Sequence, residues 1–164
     1  MKLGKFLSFS GFSLVELLVV MGVVGVLSGI IVFLNPTAQL NRGEDTKRKA
    51  DLSLIRSALE SYYQDFGDYP GAVNACTVIS AAGNTTIKDA LEPAFIKKLP
   101  RDPQFSASTD YMYWHNAARE YKLYAVLENT TDPLIIANLM TVDSVPTGSC
   151  TGYAAGYNYR VINP

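Results

Sequence analysis

The 164-residue chain has little of what reaction chemistry uses. It has one histidine, His115, so no histidine pair is available to a metal, and a Ser/His/Asp arrangement would rest on that single ring. Its place beside Trp114, at an expected strand end, reads as a solvent-facing turn. The only two cysteines, Cys76 and Cys150, are too far apart in sequence for a C-x-x-C redox or zinc pair. No glycine loop has phosphate-binding spacing. The formal net charge is −1, which removes the bulk electrostatic case for nucleic acid or a membrane surface. We therefore expect no catalytic residue, no metal site and no nucleic-acid partner.

What the chain does have is an apolar run near its start. Residues 11–34 read Gly-Phe-Ser-Leu-Val-Glu-Leu-Leu-Val-Val-Met-Gly-Val-Val-Gly-Val-Leu-Ser-Gly-Ile-Ile-Val-Phe-Leu, and the 18 residues from Leu17 to Leu34 carry no charge. As a helix rising about 1.5 Å per residue they span about 27 Å, close to the hydrocarbon thickness of a bilayer. Glu16 stands at the head of this run. A carboxylate at such depth costs roughly 3 kcal/mol and needs a partner. A secretory signal peptide would account for Lys2 and Lys5. Its apolar part, however, runs to only about 7–15 residues and ends in a small-residue cleavage site, whereas here Asn35-Pro36-Thr37 follows. The competing reading removes only a short leader. Cleavage after Gly11 leaves Phe12 with a free amino group one helical turn from Glu16, able to pair with the carboxylate of its own chain or of a neighbouring one.

Gly11-Phe12-Ser13-Leu14-Val15-Glu16, followed by the apolar run, resembles the prepilin cleavage motif of type IV pilins and pseudopilins. The resemblance implies cleavage between Gly11 and Phe12 by an inner-membrane prepilin peptidase, N-methylation of Phe12, and a role for Glu16 in assembly through the Phe12 amine of the adjacent subunit. The family often has Lys or Arg just before the glycine, whereas Leu7-Ser8-Phe9-Ser10 intervenes here. Counted alone, Lys2 and Lys5 against Arg42, Lys47, Arg48 and Lys49 would place the C-terminal part in the cytoplasm. A prepilin leader must face the cytoplasm to be cleaved, so the resemblance implies the opposite orientation. In that oxidising compartment Cys76 and Cys150 would close a loop of about 75 residues, worth roughly 4 kcal/mol in the chain-entropy model. Two buried thiols are the competing reading.

Beyond the run, Asn35-Pro36 marks either a fresh helix start or a kink. Leu52, Ile55, Leu59, Tyr62 and Phe66 recur at spacings of three and four and predict one apolar helix face, widened by Leu54, Ala58 and Tyr63. Gly67 and Pro70 end it. Glu44-Asp45-Thr46-Lys47-Arg48-Lys49 fits either a solvated surface or pairing between subunits. Residues 86–99 predict a short helix broken at Pro93. Strands are predicted at 111–114, 121–127, 134–139 and 157–162. Most tyrosines follow the helix and strand periods, which favours core packing over base stacking. Gly25 and Gly29 form a G-x-x-x-G pattern that would let two helices approach closely.

The expected fold class is α+β: a long N-terminal helix, membrane-spanning in its first half and amphipathic in its second, packed on a small antiparallel sheet. The boundaries are a leader at 1–11, an apolar helix at 12–34, an amphipathic helix at 35–67 and a head at 68–164. Leu99-Pro100-Arg101-Asp102-Pro103 before an aromatic strand is similar to the region after the variable loop of type II secretion major pseudopilins, though Gln104-Phe105 replaces the usual Trp-Gly. That resemblance implies calcium in C-terminal loops. Asp102, Asp110, Asp132 and Asp143 are the candidate ligands, but no spacing matches a calcium motif, and turn-forming aspartates are the simpler reading. The function expected is a structural subunit of a type IV pilus-like filament, inserted in the inner membrane with its head outside the cytoplasm. Its partners would be further copies of itself, the prepilin peptidase and the inner-membrane assembly machinery. Two alternatives stay open: a major pseudopilin of a type II secretion system, and, in a different class, a bitopic membrane-anchored binding module.

Overall fold

The computed structural model describes residues 11–33, 36–79, 85–104, 110–137, 139, 143 and 156–163. The chain divides into two units, Met1–Gln39 and Leu40–Pro164.

The first unit carries helix α1, Leu14–Phe33, whose one acid is Glu16. Every side chain described on it is exposed, from Leu14 at 80% to Val20 at 49%. Among the described residues no helix is long and apolar enough to cross a membrane. Of residues 31–33 only the helical backbone is described, and in the sequence Ile31-Val32-Phe33-Leu34 continues the apolar run. Helix α2, Pro36–Phe66, begins with proline at its first position, where the missing N–H has no intrahelical partner to lose. Asn35, the expected cap, lies outside the described residues.

The second unit is built on α2. Leu52, Ile55 and Leu59 are fully buried and Ala58 nearly so, as the periodicity predicts. Its edges are less buried than expected: Tyr62 and Tyr63 are half-buried, while Leu54 and Phe66 are exposed. Gly67 closes the helix at φ +74°, its N–H donating to the Tyr63 carbonyl at 2.8 Å, a left-handed cap. Helix α3 runs Thr85–Leu91 and ends before Pro93.

Four strands follow in simple antiparallel order, β1 Cys76–Val78, β2 Met112–His115, β3 Tyr121–Ala125 and β4 Tyr159–Ile162. The register sets Trp114 opposite Cys76 and Lys122, and Tyr124 opposite Met112 and Arg160. Both faces of the sheet are covered. Tyr111, Tyr113, Tyr121, Leu123 and Ala125 join α2 and α3 in the main core. Met112, Trp114 and Tyr124 pack with Leu139 and Tyr157 on the other face.

Three expectations are corrected. Residues 134–137 contain no strand: Asp132 Oδ1 accepts the Leu134 N–H at 3.0 Å, Pro133 removes a donor, and the segment turns. β1 was not expected, because three residues are too few to show alternation. His115 is not solvent-facing but buried at 1%, because it shares the main-core face with Tyr113, on whose ring it stacks at 5.6 Å, and its Nε2 lies 3.1 Å from the Gly71 carbonyl oxygen. Cys76 carries no free thiol, and Cys150 lies outside the described residues.

Candidate functional site

Two groups of residues stand out, one at the start of α1 and one along α2. At the start of α1, Gly11, Phe12 and Ser13 precede the helix, and Phe12 is 79% exposed. Ser13 is the N-cap: its Oγ accepts the Glu16 N–H at 3.2 Å, and its carbonyl accepts the Leu17 N–H at 3.1 Å. Ser13-x-x-Glu16 is thus a capping-box sequence, a start signal that the periodicity argument passed over. Capping fixes the helix start just beyond Phe12. It sets Glu16 in the first turn, where the helix dipole favours a carboxylate. Phe12 and Glu16 are four positions apart, with the cap and two residues of the first turn between them. Gly22, Gly25 and Gly29 share one side of α1, and a Cβ added at any of them would meet nothing within 4 Å.

The second group splits the charge run: Thr46 and Lys47 are exposed, as a solvated surface requires, whereas Asp45 and Arg48 are buried. Arg48 is neither solvated nor free for another subunit, for its side chain is 2% exposed. Its Nη1 donates to Asp45 Oδ1 at 2.7 Å. Its Nε and Nη2 grip both oxygens of Asp102 at 2.8 and 3.2 Å, and Nη2 also reaches Glu128 Oε1 at 2.7 Å. Glu44 stands 3.7 Å away. Asp45 in turn accepts the backbone N–H groups of Glu128 and Asn129 at 3.0 and 2.8 Å. Lys49 pairs with Asp132. Two residues of α2 therefore tie down the turn at Asp102 and the loop after β3. Burial alone would lower the Arg48 pKa. The hydrogen bonds it donates to Asp102, Glu128 and Asp45 outweigh it and hold the group above the ordinary arginine range. The signal was in the sequence: positions 48 and 45 continue the 52, 55, 59 face one turn and two turns back.

The flanks of α2 serve the sheet. Asp51 accepts the Tyr111 hydroxyl at 2.8 Å, and Glu60 accepts that of Tyr121 at 2.7 Å and, more weakly, that of Tyr69. Burial, with the Glu60 charge beside it, pushes Tyr69 up to about 12. Burial likewise raises Tyr111, Tyr113, Tyr121 and Tyr124. With rings at most 1% exposed, these four offer no stacking platform.

The four aspartates proposed as calcium ligands are each engaged by other groups of the head. Asp102 faces Arg48. Asp110 Oδ1 accepts the N–H groups of Asp102 and Tyr111 at 3.1 and 2.8 Å. Asp132 faces Lys49, which holds its carboxyl below the usual range. Asp143 takes the Tyr124 hydroxyl at 2.9 Å and pairs with Arg160. Among the described residues no three His, Cys, Asp or Glu side chains are placed to hold a metal ion. These four described aspartates do not form a donor set for calcium.

A capped apolar helix at the N-terminus and an amphipathic helix carrying a four-stranded antiparallel sheet define a pilin-like subunit. The comparisons sharpen this. The family described as type II secretion system protein G matches residues 35–131, more than half of the chain, and the prokaryotic N-terminal methylation motif matches residues 8–32. The type II secretion system core protein G of Pseudomonas aeruginosa is 30% identical over 96 residues, covering 57% of this chain and 67% of that protein. Its namesake in Vibrio cholerae is 28% identical over 105 residues (63% and 69%), and that of Escherichia coli is 32% identical over 102 (57% and 65%). No solved structure matches the chain. The chain belongs to the type II secretion system protein G family.

Proposed function

We propose that this chain is the major pseudopilin of a type II secretion system, a structural subunit that polymerises through α1. The observation that carries this reading is the contrast within one chain: a helix with every described side chain exposed, all but a few apolar, beside a head whose polar groups are largely paired internally. An apolar helix of that kind is stable in lipid or against copies of itself, and a filament supplies the second after the first. In this reading prepilin peptidase cleaves between Gly11 and Phe12, and Phe12 is N-methylated. α1 holds the subunit in the inner membrane with the head outside the cytoplasm. On assembly, Glu16 pairs with the Phe12 amine of the adjacent subunit, so each carboxylate leaving water meets a cation. Cys76 and Cys150 form a disulfide in the oxidising compartment, and the assembly machinery of the inner membrane is the other partner.

Mass spectrometry of the N-terminal peptide from the native host tests the processing. A chain beginning at N-methylated Phe12 is expected. A chain still beginning at Met1, in a host whose other prepilins are processed, would favour a membrane-anchored binding module instead. Replacing Gly11 with Trp should block cleavage. Deletion of the chain should then abolish protein secretion; loss of surface pili with secretion intact would move the assignment to a type IV pilus.

A further inference from the structure

The acidic groups of the head converge on a cation that the protein itself supplies. Arg48 lies at 2% exposure with Asp45, Asp102 and Glu128 within 2.8 Å of its nitrogens and Glu44 at 3.7 Å. Those carboxylates come from three places in the chain: α2, the turn at Asp102 and the loop after β3. A divalent cation serving as a clamp would have to bring the same three segments together through the same oxygens. Here every carboxylate oxygen of Asp45, Asp102 and Glu128 already has a donor, and so has Glu44 Oε2. Asp102 Oδ1 accepts the Gln104 N–H at 2.8 Å as well as Arg48, Glu128 Oε2 accepts the Gln104 amide at 3.1 Å, and Glu44 Oε2 accepts the same amide at 2.9 Å. One residue on, Lys49 neutralises Asp132, whose other oxygen accepts the Leu134 N–H.

We infer that Arg48, seconded by Lys49, is the resident cation that locks the turn at Asp102 and the loop after β3 onto α2, and that the head keeps its fold without calcium. The geometry suits a guanidinium rather than a metal. Its forked donors meet Asp102 bidentately and reach Asp45 and Glu128 as well, whereas calcium needs six or more oxygens in a shell. The inference stands apart from the filament reading, since it concerns one folded chain.

The test uses the full chain in detergent, with fluorescence of Trp114, the sole tryptophan and one buried in the sheet, reporting the unfolding of the head. Thermal midpoints are compared in millimolar calcium chloride and in the chelator EGTA. A ligand at about 100 times its Kd raises the midpoint of a domain of this size by roughly 10 °C or more. The expected result is no shift. A midpoint that falls by several degrees in EGTA and returns with calcium would overturn the inference. Arg48→Met should lower the midpoint strongly in both buffers, with Arg48→Lys recovering part of the loss; an unchanged midpoint in Arg48→Met would sink the lock. Should Arg48→Met yield no folded chain, Lys49→Met and Asp132→Asn are read instead. Each should lower the midpoint by a similar small amount, and their combination by no more than one alone. Additive losses in that pair would count against Lys49 as part of the lock.

Discussion

The two units of this chain treat their side chains in opposite ways. In α1 every described side chain is exposed, Leu14 at 80%, and Phe12 just before the helix is 79% exposed. In the head, leucines, isoleucines and tyrosines reach 0% exposure, and even an arginine is enclosed. The difference shows where each unit gets its free energy. The head is completed by its own residues, through burial worth about 25 cal/mol per Å² of apolar surface and by polar groups paired inside it. α1 must be completed from outside, by lipid or by other copies. Changes in α1 should therefore be read in assembly, and changes in the head in the stability of a single chain.

The largest break of that contrast is at Glu16. Glu16→Ala should leave insertion and cleavage intact yet reduce filament number by at least an order of magnitude, since losing a desolvated charge pair at a subunit contact costs about 2–5 kcal/mol. Immunogold counts of filaments, with mass spectrometry of the processed N-terminus, would check it. Normal filament numbers in that variant would remove Glu16 from assembly. The unfolding midpoint of the head should not move.

The converse experiment is in the core. Leu59 is fully buried between α2 and the sheet, so Leu59→Ala should cost the head about 2–5 kcal/mol, through lost burial and the cavity left behind. Denaturant unfolding followed at Trp114 would show it. Leu27→Ala, at a site 56% exposed on α1, should leave that midpoint alone. A head destabilised by Leu27→Ala would mean that the two units are not energetically separate.

Much of this division was legible before any coordinates. The apolar run, the prepilin-type motif and the three-and-four spacing of Leu52, Ile55 and Leu59 report single helices, and helices write their partners into local periodicity. What escaped has non-local causes. His115 is buried because the chain at Gly71, more than forty residues away, closes over it beside Tyr113, which no local pattern announces. Asp132-Pro133 put a turn where the apolar stretch predicted a strand, although Ile136 still packs on the second sheet face. Arg48 was misjudged because charge was given more weight than position: the face it shares with Leu52 is buried, and partners more than fifty residues away, Asp102 and Glu128, make that burial tolerable.

Acid should separate the units next, by a smaller margin. Lys49 and the Leu134 N–H hold the Asp132 carboxyl below its usual range in the folded head. A depressed carboxylate contributes stability that is fully present above its unfolded pKa, about 3.9, and is lost as pH falls through the still lower folded value. The head midpoint should therefore decline below about pH 4. Asp132→Asn should flatten part of that decline while lowering stability modestly at neutral pH. Asp110 works in the other direction. Burial raises its pKa, and among the described residues its Oδ2 has no hydrogen-bond partner. Its raised pKa favours the head at low pH, a benefit that fades as pH rises through the folded value. Asp110→Asn, which keeps the acceptor for the Asp102 and Tyr111 N–H groups, should thus stabilise the head at neutral pH more than at pH 3. An Asn variant less stable at neutral pH would show that the charge itself is used.

The smallest effect expected is at a glycine, and it contrasts the units most cleanly because packing drops out. At Gly67 a Cβ would meet nothing within 4 Å, yet φ is +74°. The cost of Gly67→Ala is then a backbone cost alone, about 1 kcal/mol, seen as a small drop in the head midpoint. At Gly25, in α1, a Cβ also meets nothing within 4 Å, and the backbone is helical. Alanine there should be neutral for the head and favourable for the isolated helix by up to about 1 kcal/mol. Any loss of filaments in Gly25→Ala must then come from a surface that this chain does not itself contain, a neighbouring helix seated close against the glycine. Filaments as numerous as in the parent would mean that the open strip along Gly22, Gly25 and Gly29 is not where copies meet.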